Sequence, residues 1–246
     1  KKMNATSADT DGSRSGLKGF DMPAFELQPS KYFGVHDDFL CVNSSQGNAV
    51  NEDAAQATSI DSDLWTINIG GTSDAAALDS TKTGGVVKFT MGSSAGEEIN
   101  MQALGAGFAV DASSARKIWF ETRIQLDDVS GAGFFVGLAS NKGGEEVTMI
   151  DSLEDGLGFI CATGASPDIK SIGAKGNTET QTDTTIDIAD ATWVVLSYHF
   201  DGTSAHFYVN GVLKHSSTSN LPNDGTILFP SCLLYTSDAA DDLLCV

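Results

Sequence analysis

The 246-residue chain predicts an all-β fold, a sandwich of two antiparallel sheets. Three observations carry that expectation. From Gly34 onward, short runs of β-branched and aromatic residues recur between clusters of Gly, Asn, Asp and Ser. Helical periodicity is absent over any useful length. The run KIWFETRIQL, finally, alternates between two faces throughout.

Taken in order, residues 1–33 form a lead-in. Residues 1–19 are rich in Ser, Thr, Asp and Gly and have little to bury, which is the composition of a flexible linker. The segment from Phe20 to Phe33 carries Phe20, Met22, Phe25, Leu27, Tyr32 and Phe33, with Pro23 and Pro29 breaking any helix. Such an extended arm is suited to clasping a neighbour. The sandwich domain is expected over residues 34–231, with strands near 37–43, 64–69, 86–91, 99–104, 117–126, 133–140, 156–162, 169–174, 182–188, 193–200, 204–210 and 212–216.

Within these runs the alternation assigns faces. Ile118, Phe120, Thr122, Ile124 and Leu126 take one side of their strand, and Trp119, Glu121, Arg123 and Gln125 the other. GFFVGLAS is apolar on both faces and marks a central strand, with Gly137 permitting a bulge or a close approach. WVVLSYHF turns through Asp201-Gly202-Thr203 into AHFYVN, and Asn210-Gly211 tolerates the positive φ of a type I′ turn. LKHSS follows, and LPNDG turns into ILFPS, so the closing region reads as a meander pinned at three turns.

The last fifteen residues, CLLYTSDAADDLLCV (232–246), resemble translated sequencing adapter. The run from Cys232 to Asp241 can be written TGT CTC TTA TAC ACA TCT GAC GCT GCC GAC, which resembles the transposase end and linker of short-read libraries. The biological domain is therefore expected to stop near Ser231 with its own last strand missing, leaving the final slot empty or filled by foreign residues that read as a short apolar strand at CLLYT. The chain opens on Lys1 rather than Met, and its front has no apolar core of a signal peptide.

Composition excludes several functions. The formal net charge is −19, and setting aside the three aspartates of the tail, Asp238, Asp241 and Asp242, leaves −16. Carboxylates spread through loops repel nucleic-acid backbone and anionic membrane, so neither is expected as a partner. No run reaches the roughly 18 apolar residues of a membrane helix. Outside the tail, only Cys41 and Cys161 remain, each two residues after a phenylalanine; they read as buried thiols, a single disulfide being the alternative.

Trp193, then Phe207-Tyr208-Val209-Asn210-Gly211-Val212 and Leu221-Pro222, resemble the closing block of concanavalin A-like jelly rolls, including laminin G-type modules. A narrower resemblance runs along the domain through Asp37-Asp38-Phe39, Leu64-Trp65-Thr66, Gly84-Gly85-Val86, Phe120-Glu121-Thr122-Arg123-Ile124-Gln125, Gly137-Leu138-Ala139 and Asp155-Gly156-Leu157-Gly158-Phe159. In that order these motifs are similar to structural proteins of tailed-bacteriophage virions. The resemblance implies a concanavalin A-like jelly-roll sandwich on the particle surface, with capsid or other virion proteins as partners.

Retaining glycosidases on such sandwiches place nucleophile and acid on one strand, in a pattern such as E-x-D-x-x-E, because alternation brings the carboxylates about 5 Å apart. No such pattern occurs; Glu97-Glu98, Asp127-Asp128, Glu145-Glu146 and Glu154-Asp155 read as solvated turn charge. There is no GxSxG elbow, and His36, His199, His206 and His215 form no HExxH motif. His199 and His206 face each other across a hairpin as a polar pair. The sequence thus assigns no catalytic or cofactor residues, and the expectation is a protein that works without catalysis. Calcium stays open through Asp37, Asp38, Asp151 and Asp155, with no spacing that selects a ligand set. Trp119 with Arg123 and Gln125 could form a sugar platform, or Trp119 could simply cover the outer sheet.

The expected role is therefore a non-enzymatic virion structural protein of the capsid surface. The alternative is a secreted or surface-displayed carbohydrate-binding module of lectin or laminin G type, in some cases needing calcium. Sequencing reads from the source DNA are expected to break at the codon for Ser231; reads continuing at normal depth through Val246 would refute the adapter origin.

Overall fold

The computed structural model describes residues 39, 49–50, 57–58, 65–70, 74–92, 97–103, 105, 107–113, 117–140, 153–162, 167–236 and 242–245. Its strands are β1 (Ala49–Val50), β2 (Ala57–Thr58), β3 (Trp65–Ile69), β4 (Ala75–Leu78), β5 (Val87–Thr90) and β6 (Glu98–Ala103). They continue as β7 (Phe108–Asp111), β8 (Ile118–Leu126), β9 (Ala132–Ser140), β10 (Gly156–Cys161), β11 (Asp168–Lys175) and β12 (Thr178–Asp187). The last are β13 (Val194–Phe200), β14 (Ala205–Val209), β15 (Val212–Ser217), β16 (Asp224–Thr236) and β17 (Asp242–Cys245). Helix is absent among the described residues.

Two sheets result. One has nine strands in the order β1-β3-β6-β16-β9-β10-β11-β12, with β7 also paired to β16; the other has eight, in the order β15-β14-β13-β8-β17-β5-β4-β2. All pairings are antiparallel except the short edge pairs β1 with β3 and β2 with β4. The expectation of a two-sheet antiparallel sandwich holds.

Period-2 alternation fills the space between the sheets. From the nine-stranded sheet come Ile67, Ile99, Met101, Phe134, Val136, Leu138 and Phe159; from the other come Phe89, Ile124, Leu126, Leu196, Tyr198, Phe200 and Phe207, all in one buried cluster. Phe159 meets Phe207 edge-on at 5.5 Å, and Tyr198 lies between Phe120 (5.0 Å, stacked) and Phe207 (5.8 Å). Each such side chain taken fully from water contributes about 1.5–3 kcal/mol. At the sandwich edge Ser171 of β11 hydrogen-bonds Nδ1 of His215 of β15 at 2.9 Å, tying the sheets by a polar contact.

Strand β9 is central, as its double apolar face predicts. Its second face, with Phe135 and Ala139, joins Ile160, Ile172, Ala174, Leu153 and Leu233 in a separate apolar cluster. Gly137 sits directly opposite Gly158 of β10, and a Cβ on Gly137 would collide with the Leu157 carbonyl and the Gly158 Cα. Close approach, rather than a bulge, explains this glycine.

Cys161 is a buried free thiol beside Phe159, as expected, and burial pushes its pKa up to about 11. Cys41 lies outside the described residues, as does most of the expected strand at 37–43.

Other expectations need correction. The meander has three strands, β13-β14-β15, not four. After β15 the chain passes buried Leu221 and enters the other sheet, where β16 lies between β6 and β9. A strand whose Leu228 belongs to one apolar cluster and Leu233 to another is stable only where both faces are covered. The Ala-rich strand β4 and the four-residue β7 escaped notice because neither has the length or β-branched content that signals a strand.

Strand β16 also runs through Ser231 without a break to Thr236, paired on both sides, and β17 occupies a place between β5 and β8. The sequence reading places the end of the biological domain near Ser231, with foreign residues that read as a short apolar strand at CLLYT as one expected filling of the last slot. Ladder hydrogen bonds are made by any backbone, and the alternation places Cys232 and Leu234 in the main core, so these residues fit the slot however their codons arose.

Substituting Gly137→Ala is expected to destabilise the fold by about 1–3 kcal/mol through overpacking. Urea unfolding should show a lower midpoint with an unchanged slope.

Candidate functional site

The outer face of the eight-stranded sheet gathers the candidate residues. Because Ile118, Ile124 and Leu126 of β8 turn inward, Trp119, Glu121, Arg123 and Gln125 turn outward. The same logic sends Val195, Ser197 and His199 of β13 outward while Leu196, Tyr198 and Phe200 fill the core. Registry then aligns them in rows across the sheet.

The first row is Trp119, His199, His206 and Ser216, contributed by β8, β13, β14 and β15. Trp119 stacks on His199 at 5.1 Å and 28°, and His199 on His206 at 6.1 Å and 13°. His206 Nδ1 hydrogen-bonds Oγ of Ser216 at 2.8 Å. The half-exposed aromatic and imidazole rings form a continuous flat strip. The second row is Glu121, Ser197, Tyr208 and Leu213, with Ser197 fully buried as its floor. Beyond it Arg123 lies opposite Val195, and its guanidinium carbon sits 4.2 Å from the ring centre of Trp193, the residue before β13.

Of the three platform residues expected from the sequence, Trp119 and Arg123 share this face in accessible positions. Gln125 does not: it is buried, and its side-chain amide donates to the Ala191 carbonyl, pinning the loop before β13. Trp193, Tyr208 and Ser216 were missed as members of the face. The alternation of WVVLSYHF and AHFYVN would have found the first two; Ser216 depends on a register shift between Phe207 and Tyr208 that no local signal announces.

His199 and His215 are held low. Burial lowers the pKa of His199, with Lys117 adding to the effect while Asp201 opposes it, and burial alone lowers that of His215. Asp201 is held at about 2: burial opposes ionisation, and the hydrogen bonds it accepts from Ser204 and Thr203 in the β13–β14 turn overcome it.

The acidic pairs divide. Asp127 and Asp128 are exposed as expected, but Glu97 is buried and Glu98 opens β6. Asp155 is also buried, and its Oδ1 accepts the Gly176 amide at 3.0 Å, locking the β11–β12 turn. Asp37, Asp38, Asp151, Glu145, Glu146 and His36 lie outside the described residues. Among the described residues no group of three or more His, Cys, Asp or Glu side chains is placed to hold a metal ion.

Between the sheets a cavity of about 160 Å³ opens along Ile118–Thr122, floored by Trp65, Met101, Val136 and Leu138 of the opposite sheet. On β8, among the described residues, strand β17 pairs with Ile124, Gln125 and Leu126, so the cavity follows the part of β8 that these pairings do not reach.

No family model matches the chain, and no curated protein matches it. Solved structures do. The carbohydrate recognition domain of Emp46p, in its potassium-bound form, is 8% identical over 74% of this chain and 85% of that one, with a TM-score of 0.51. The fold is a concanavalin A-like jelly roll. The catalytic domain of an endo-1,3-β-glucanase (laminarinase) from Thermotoga petrophila RKU-1 is 13% identical over 76% of this chain and 90% of that one, with a TM-score of 0.51. An endo-β-1,4-glucuronan lyase from the fungus Trichoderma reesei is 8% identical over 72% and 87%, with a TM-score of 0.50.

These jelly rolls include a carbohydrate recognition domain and enzymes alike. The expectation of a protein without catalysis is thereby corrected, because it leaned on the absence of one strand-borne carboxylate pattern, and this fold is found in enzymes.

Folding holds His199 and His215 below the ordinary value of 6.5, so the unfolded chain takes up protons first as pH falls. Their contribution to stability is complete above about pH 6.5 and is lost as pH drops toward the lowered folded values. Melting temperature is expected to fall between about pH 7 and pH 5. A His199→Gln, His215→Gln double variant should show a shallower decline over the same range.

Proposed function

We propose that the outer face of the eight-stranded sheet binds carbohydrate, making this jelly roll a glycan-recognition module. The observation that carries the reading is the aligned row of Trp119, His199, His206 and Ser216. A sugar ring presents an apolar C–H face and a rim of hydroxyls. A flat strip of half-exposed rings offers the apolar surface, and imidazole nitrogens, Ser216 and Tyr208 offer hydrogen-bonding groups at its margin. The rigid strands hold these groups without loop ordering, which lowers the entropic cost of binding. The shared fold with the Emp46p carbohydrate recognition domain supports the reading.

We further infer that this module is displayed on a phage particle, with virion proteins as its partners. The ordered motifs from Asp37-Asp38-Phe39 to the Asn210-Gly211 hairpin support this placement. Capsid, portal or terminase genes beside this one are expected; sugar importers or glycosidases there would displace the virion assignment in favour of a secreted module.

A glycan array probed with and without calcium tests the binding. Trp119→Ala is expected to weaken the best glycan by about tenfold, equivalent to about 1.4 kcal/mol, with the fold retained by circular dichroism. Absence of binding to every glycan in both conditions would sink the reading.

A further inference from the structure

We infer that this face selects acidic glycans, with Arg123 as the group that pairs a sugar carboxylate. The inference rests on the carbohydrate-binding reading and adds the chemical class of the ligand. The chain carries 33 Asp and Glu against 14 Lys and Arg, so a surface cation has no shortage of counter-ions. Among the described residues the ion pairs are Lys88 with Asp127 and Lys175 with Asp224. Arg123 is exposed and, among the described residues, joins neither pair; what sets it apart from those lysines is its seat on the Trp193 ring.

That contact shapes what the side chain can do. A guanidinium seated over an indole has one side covered by the ring, and the N–H groups not facing it stay available to a ligand. A guanidinium fork held in this way matches a carboxylate bidentately, and little side-chain freedom remains to be lost on binding. The surroundings are mixed in sign. Lys117 is exposed at the head of β8, so this strand of an acidic protein carries two exposed cations, Lys117 and Arg123, one near each end of the face. Glu121 lies between Trp119 and Arg123 on the same face, and Asp201 borders His199. These carboxylates repel a charge placed at the centre of the strip, so the ligand's acid group belongs at the Arg123 end.

Strand geometry sets the ligand's length. Trp119 and Arg123 are four residues apart on β8, a separation of about 13 Å. One sugar unit cannot stack on Trp119 and reach Arg123 together. The ligand is therefore an oligosaccharide in which a uronic acid is separated from the unit seated on the aromatic strip.

Calorimetry decides the matter with oligosaccharides of hyaluronan, alginate and polygalacturonate, each compared with its carboxyl-reduced form, in which –COO⁻ becomes –CH₂OH. Chelator is included so that calcium bridges cannot contribute. At least one acidic oligosaccharide is expected to bind about tenfold more tightly than its reduced form, the scale of one charge-assisted hydrogen-bonded pair. Arg123→Gln should abolish that difference, Arg123→Lys should restore part of it, and the advantage should shrink with added salt. Free glucuronate should not compete. If reduced and acidic forms bind equally, or Arg123→Gln leaves the preference intact, the acid selectivity is overturned while the carbohydrate platform stands. If no acidic, reduced or neutral glycan binds, both fail.

Discussion

The structure depends on the aromatic contact between the two sheets at Tyr198. This residue is fully buried at the middle of β13, stacked on Phe120 of β8 and tilted against Phe159 of the opposite sheet, with its hydroxyl directed at the Leu138 backbone. A phenol in that place is tolerated because its polar tip reaches across the interface while its ring is packed on several sides. Desolvation holds the hydroxyl far above its ordinary pKa, so it stays neutral. Burying this ring fixes the register of β13 against both neighbours, since a one-residue slip would exchange Tyr198 for Ser197 or His199.

The outer face follows from that inner one. With Tyr198 and Phe200 inward, His199 must point out between Trp119 and His206, and the row of rings exists because three strands are held in one register. The face is a by-product of core packing that chemistry can use. Its rigidity comes from β13, paired over seven positions with β8, and from the Asn210-Gly211 turn, where both residues adopt positive φ and Asn210 accepts the Val195 amide. The opposite sheet solves a different problem: β9 and β16 are apolar on both sides, so a second cluster around Phe135 must be covered as well.

Much of this was readable from residue order. The inward and outward sets of β8, the central position of β9, both turns of the closing hairpins and the buried thiol of Cys161 follow from alternation and turn chemistry alone. The destination of β16 did not, because LPNDG specifies that the chain turns and says nothing about which sheet receives it. Gln125 shows the same limit at the site. Alternation put it on the platform face, but the loop carrying Ala191 folds over it and removes it from use. Glu97 and Asp155, which read as turn charges, are buried, and for Asp155 the reason is a backbone amide that needs an acceptor.

The sequence by itself determined the fold class, the strands of the domain's second half and the face on which each side chain stands. These depend on near-neighbour physics: the two-residue period of a strand and the φ preferences of Gly and Asn. Only the tertiary structure decided which non-consecutive strands lie side by side, and hence that Trp119 joins the row of His199, His206 and Ser216 and that Arg123 rests on Trp193. Those neighbours come from chain segments tens of residues apart, brought together by burial that rewards apolar area without specifying which segment supplies it.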